Sequence, residues 1–119
     1  FHSYMEGGKG DMDIWVADIE NDKLTNLRNI EEINTDGLEG WPYISPDGKE
    51  LWFTGNYKGT AAVYRSTMTD RSWGEPELII SQFAGEPTLD GEGNLYFSHH
   101  YFEDGVMFEA DIYVAKRYK

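Results

Sequence analysis

Cysteine is absent from the 119 residues, which excludes disulfides and thiolate metal sites without fixing the compartment, since many exported proteins also do without it. Positive charge is scarce: ten Lys and Arg against 22 Asp and Glu leave a net charge of −12. Such a surface repels phosphate backbones and anionic lipid, so nucleic acid is not an expected partner. No apolar run approaches the ~20 residues of a membrane span, so membrane insertion is not expected, and no signal peptide is visible. No segment keeps a 3.6-residue apolar period long enough for a helix. Gly7-Gly8-Lys9-Gly10 lacks the Ser or Thr and the earlier Gly of a phosphate loop, and no serine sits in a G-x-S-x-G elbow.

What remains is apolar enough to fold. With 39% hydrophobic and 15% aromatic residues, a chain of this length suits one compact domain and not a disordered acidic tail. The apolar residues are organised by repetition. The segment from Trp41-Pro42 through Ser45-Pro46-Asp47-Gly48-Lys49 to Trp52-Phe53 returns, degraded, from Glu86-Pro87 through Leu89-Asp90-Gly91 to Tyr96-Phe97. Pro42 to Pro87 is 45 positions and Phe53 to Phe97 is 44, a period that fits the four-stranded blades of a β-propeller. Further runs recur in step: Asp13-Ile14-Trp15-Val16, Ala62-Val63-Tyr64 and Asp111-Ile112-Tyr113-Val114.

Alternation along these strands places Leu51 and Phe53 on one face and Trp52 and Thr54 on the other, and both faces are apolar. A strand of that kind is buried between two layers, which stacked sheets supply without helices. The expected class is therefore all-β, with four-stranded antiparallel blades. Blade boundaries fall at 1–38 (part), 39–83 (whole) and 84–119 (part). The Ser45–Lys49 segment reads as a hairpin turn: Pro presets φ, Asp47 bonds the backbone ahead and Gly48 takes a positive φ, with Asp90 and Gly91 in the corresponding places of the later copy. A ligand loop is the alternative for that segment.

At these residues the chain resembles the WD-like β-propeller repeat of TolB-type proteins, in which a Pro is followed by a Ser-Pro-Asp-Gly-Lys turn, an aromatic-Phe strand and Asp-Ile-Tyr. Asp13-Ile14-Trp15, Ile33-Asn34-Thr35, Trp73-Gly74-Glu75-Pro76 and Asp111-Ile112-Tyr113 match in order, and the similarity spans nearly all of the chain. Ala62-Val63-Tyr64 departs from Asp-Ile-Tyr, and the later turn lacks Ser-Pro, which puts in doubt any activity that needs the Asp of every blade. The resemblance implies a six-bladed ring and a periplasmic or extracellular location. It is weak for function, because one fold hosts many activities. At about 45 residues per blade the chain supplies roughly two and a half, so the rest of a ring is expected from a longer parent chain or from further copies.

Candidate chemistry is sparse. His2, His99 and His100 are the only histidines, and neighbouring strand residues face opposite ways, so His99 and His100 do not share an ion without a bulge. Asp11 and Asp13, beside Gly7, Gly8 and Gly10, invite a calcium reading, although the Asp11–Asp18 spacing is not that of an EF-hand; otherwise no cofactor is expected. The simpler role of such an Asp is to accept bonds from its own loop. Tyr57, Tyr101, Phe102 and Phe108 fall in the segments joining the second and third strands, where, with His100, they are the candidates for contacting a ligand; their alternative role is packing between blades. The function expected is a non-enzymatic binding or scaffold module that contacts protein or polysaccharide, the alternative being a fragment of a carbohydrate-active or peptidase-linked propeller enzyme.

Overall fold

The computed structural model describes residues 1–118. The chain is all-β, with no helix among the described residues and hence none long and apolar enough to cross a membrane. Eleven strands follow in order: β1 (His2–Ser3), β2 (Asp13–Glu20), β3 (Lys23–Asn29), β4 (Gly40–Ile44), β5 (Glu50–Tyr57), β6 (Thr60–Thr69), β7 (Ser72–Trp73), β8 (Glu77–Ile80), β9 (Ala84–Leu89), β10 (Leu95–Glu103) and β11 (Val106–Ala115). They form three antiparallel sheets: β1-β2-β3, then β4-β5-β6 with both β7 and β8 on β6, then β9-β10-β11.

Turn chemistry sets these hairpins. Four two-residue links carry positive φ at both positions, which matches the twist of the strands they join: Asn21-Asp22, Lys58-Gly59, Asp70-Arg71 and Asp104-Gly105. Their tightness corrects one expectation. Tyr57, Tyr101, Phe102 and Phe108 do not stand in loops, because strand pairing runs right up to the turns, at Tyr57↔Thr60 and Glu103↔Val106. The five-residue turns are built as expected from their side chains. Ser45 Oγ and Asp47 Oδ1 are 2.6 Å apart, Lys49 N donates to Asp47 Oδ1 at 3.0 Å, and Gly48 has φ 71°. In the later turn Asp90 Oδ1 accepts from Glu92 N and Asn94 N, each at 2.9 Å. There Gly91 lies within the turn, but the positive φ falls on Gly93, at 82°.

The middle sheet is buried on both sides, as the alternation requires. Leu51 and Phe53 pack towards the first sheet with Ile14, Ile30, Ile33 and Trp73. Trp52 and Val63 pack the other way, with Ala84 and Leu95 of the third sheet. Phe53 stacks on Tyr64 at 5.7 Å, and Phe97 stacks on Tyr113 at 6.0 Å in the same relation one sheet later.

The first strands of the middle and third sheets share a distortion. In each, register shifts at a bulge, between Gly40 and Tyr43 and between Gly85 and Thr88, opposite β5 and β10 respectively. In each, the residue before proline is left-handed: Trp41 at φ 47° and Glu86 at φ 56°. A left-handed residue other than glycine costs about 1 to 3 kcal/mol and persists only where its surroundings hold it. Here the hold comes from the preceding sheet, since Trp41 N donates to His2 Nδ1 and Glu86 N to Thr54 Oγ1, both at 2.8 Å. The preceding glycine suits the same close approach. A Cβ at Gly40 would meet Met12 Cε at 2.5 Å and His2 Nδ1 at 3.3 Å, and one at Gly85 would meet Thr54 Oγ1 at 3.0 Å.

Candidate functional site

Buried polar groups gather where the connection from β3 to β4 meets β2. Asn34 pairs its amide with the backbone of Ile14, accepting from Ile14 N at 2.9 Å and donating to Ile14 O at 2.8 Å. Asp13 is 1% exposed, and its carboxylate is directed at donors. It accepts from Lys9 N, from Gly10 N at 3.1 Å and from Asn29 Nδ2 at 2.6 Å. The side chain thus ties down the loop from β1 to β2, the local role open to an Asp beside a glycine-rich stretch. Asp11 is exposed, and its amide bonds Gly37 O at 2.9 Å. No group of three or more His, Asp or Glu side chains placed to hold a metal ion occurs among the described residues.

Beyond this network lies a cleft of about 340 Å³ lined by Lys9, Asn34, Glu39, Asn56, Tyr64 and Glu75, among others. Glu39 is buried, and both of its oxygens are engaged by Thr35, from N at 2.9 Å and from Oγ1 at 2.5 Å. The Tyr64 hydroxyl donates to Asn56 O at 2.7 Å. Burial, followed by the charges of Tyr57 and Glu39, holds its proton above the ordinary phenol range. The buried acid of the cleft is therefore a structural clamp on Thr35, and the free carboxylates, Glu31, Glu32 and Glu75, stand at its edge.

The ligand candidates read from the sequence are dispersed. Tyr57 ends β5 with the Lys58 ammonium 5.2 Å over its ring. Phe102 leans on Phe83 at 5.4 Å. His100 Nε2 stands 4.0 Å from Glu86 Oε2 and borders a second cleft, of about 330 Å³, with Trp41, Thr54 and Met107. His99 and His100 do not converge, since the His99 ring instead meets Tyr101 at 4.8 Å and Tyr113 at 5.7 Å.

Tyr101 belongs to the one group that does cluster. Its ring lies 6.4 Å from Phe108, and its hydroxyl is hydrogen-bonded to that of Tyr113, a contact that pushes its pKa up to about 12. Phe97, His99 and Tyr101 take alternate positions along β10, so with Tyr113 and Phe108 of β11 they form an aromatic row whose far end is open to solvent. The sequence reading found Tyr101 and Phe108 but missed Tyr113 and His99 as their companions. The signal was the period-two spacing of 97, 99 and 101. Trp41, Glu86 and Glu39 were also missed as site residues, although Trp41-Pro42 and Glu86-Pro87 mark the repeat.

No family model, curated protein or solved structure matches the chain.

Proposed function

We propose that the chain is a wedge of a TolB-like β-propeller that works outside the cytoplasm as a non-enzymatic binding module for neutral polysaccharide. The wedge reading is supported by the three consecutive antiparallel sheets and by the bulged Gly-x-Pro strand that repeats between them. The observation that carries the binding reading is the open aromatic row of His99, Tyr101, Tyr113 and Phe108. Flat aromatic faces flanked by phenol hydroxyls suit a sugar ring, which offers an apolar C–H face and equatorial hydroxyls to the same surface. The net charge of −12 disfavours an acidic glycan and leaves a neutral one.

Titration with neutral oligosaccharides, followed by the NMR signals of the aromatic rings, tests this. Saturable shifts at Tyr101 and Tyr113 are expected. Tyr101→Ala should weaken binding about fivefold, as loss of an aromatic contact worth about 1 kcal/mol implies. Shifts confined to other residues, or capture of protein with no response to sugar, would overturn the polysaccharide reading.

A further inference from the structure

The middle sheet shows what the face of such a sheet looks like when covered, and the third sheet shows the same face bare. Val63 and Ile112 hold equivalent positions, each in the third strand of its sheet opposite Thr54 and Ser98 respectively. Val63 is 0% exposed beneath the third sheet, whereas Ile112 is 79% exposed. His2, opposite Ile14, completes the series His2, Thr54, Ser98. The first two members do the same thing: each accepts the backbone N–H of the left-handed residue before proline in the next sheet, at 2.8 Å. Both donors belong to left-handed residues that persist only where their surroundings hold them, and at both joints between sheets the same hydrogen bond supplies that hold, so the acceptor goes with stacking.

We propose that Ser98 is the third acceptor of this series. The bare face around Ser98 and Ile112 then docks a further sheet of the same repeat, whose first strand carries a Gly-x-Pro bulge with its left-handed N–H directed at Ser98 Oγ. The inference rests on the wedge reading above. It also says what the occupant is not. In the folded chain both N–H groups of this kind are already used, by His2 and by Thr54, so a second copy folded alike has none to offer. The partner is a repeat whose bulge is still unpaired.

The chain can supply its own occupant. Ser66 and Ala115 are equivalent, since they pair with Leu51 and Leu95, so residues 67–119 repeated after residue 115 add a closing strand and one more sheet. Because the protein has no cysteine, a single Ile112→Cys in the first copy reports docking through its rate of thiol labelling. In the tandem chain, labelling is expected to slow at least tenfold relative to the 119-residue chain. Ser98→Ala in the first copy should restore most of the rate, Ser98→Thr should not, and neither change should alter the rate in the 119-residue chain.

Slow labelling that ignores Ser98→Ala overturns the Ser98 contact and leaves the wedge reading standing; fast labelling in the tandem chain, folded or not, overturns both. An independent check uses the natural chain. Thr54→Ser should keep the Glu86 amide slow to exchange with deuterium, and Thr54→Ala should speed it at least tenfold. If Thr54→Ser exchanges as fast as Thr54→Ala, serine is not a competent acceptor in this position and the proposal falls.

Discussion

At the scale of single residues, the clearest division is between side chains that fill space and side chains that answer backbone groups. Phe53 is 2% exposed and stacks on Tyr64 within the cluster shared by the first and middle sheets. Phe53→Ala removes that packing and leaves a cavity, so a loss of about 3 to 5 kcal/mol is expected in denaturant unfolding. Asp13 is of the second kind. Asp13→Asn turns one acceptor oxygen into an N–H₂ facing either the Gly10 N–H or the Lys9 N–H together with the Asn29 amide. The expected cost is about 1 to 3 kcal/mol, with faster amide exchange in the loop from β1 to β2. A full-stability variant with an unchanged loop would show that the carboxylate is dispensable.

Asp47 and Asp90 answer the backbone in the open. Hydrogen bonding with Ser45 and then with the Lys49 amide holds Asp47 below the ordinary 3.8, and the Asn94 side chain and then its amide do the same for Asp90. Because both folded values are depressed, the turns contribute fully above about pH 3.8, and that contribution is lost as pH falls through the lower folded values. The thermal midpoint should therefore drop between about pH 6 and about pH 2.5. The drop should be smaller in a double variant, Asp47→Asn with Asp90→Asn, which has no proton to gain at either turn. Equal drops would remove these two residues from the acid response.

At the scale of elements, hairpin geometry decides where the aromatic residues can act. The Lys58-Gly59 turn has φ 50° and 82°, a pair suited to tight links between twisted strands. Gly59→Val places a β-branched side chain in that left-handed position and should cost about 1 to 2 kcal/mol, read as a lower unfolding midpoint with no change in aromatic NMR shifts at β10 and β11. Much at this scale was legible: the 45-residue repeat, the absence of helices, and the two apolar faces of the Leu51–Thr54 strand all follow from alternation and turn residues.

The turns without glycine were not legible in the same way. Asn21-Asp22 and Asp70-Arg71 adopt two successive positive φ values on sequence that does not demand them, so pairing of the flanking strands settles the conformation. Tyr101, Phe102 and Phe108 flank a turn that does carry glycine, and they read as loop residues because the tightness of the Asp104-Gly105 link, which lets the strands run up to it, was not recognised. The candidate site was harder still. Its members lie on two strands, and only the register Phe97↔Tyr113 and His99↔Asp111 shows which side chains meet.

At the scale of the whole molecule, the sheets differ in what covers them. The third sheet presents Ile112 and Val114 to solvent on the face where the middle sheet buries Val63. Clustered exposed apolar residues mark interaction surfaces, and in isolation they bind apolar dyes and promote association. A charge there removes the attraction without disturbing a core, because nothing packs on it. Ile112→Lys should cut dye fluorescence and concentration-dependent light scattering while moving stability by no more than about 0.5 kcal/mol, as is usual for surface changes. The matched change at the equivalent buried position, Val63→Lys, should unfold the protein, because it places an unpaired ammonium between two sheets. If the two substitutions had similar effects, the contrast between a covered middle sheet and a bare third sheet would fall, because Val63 is 0% and Ile112 79% exposed.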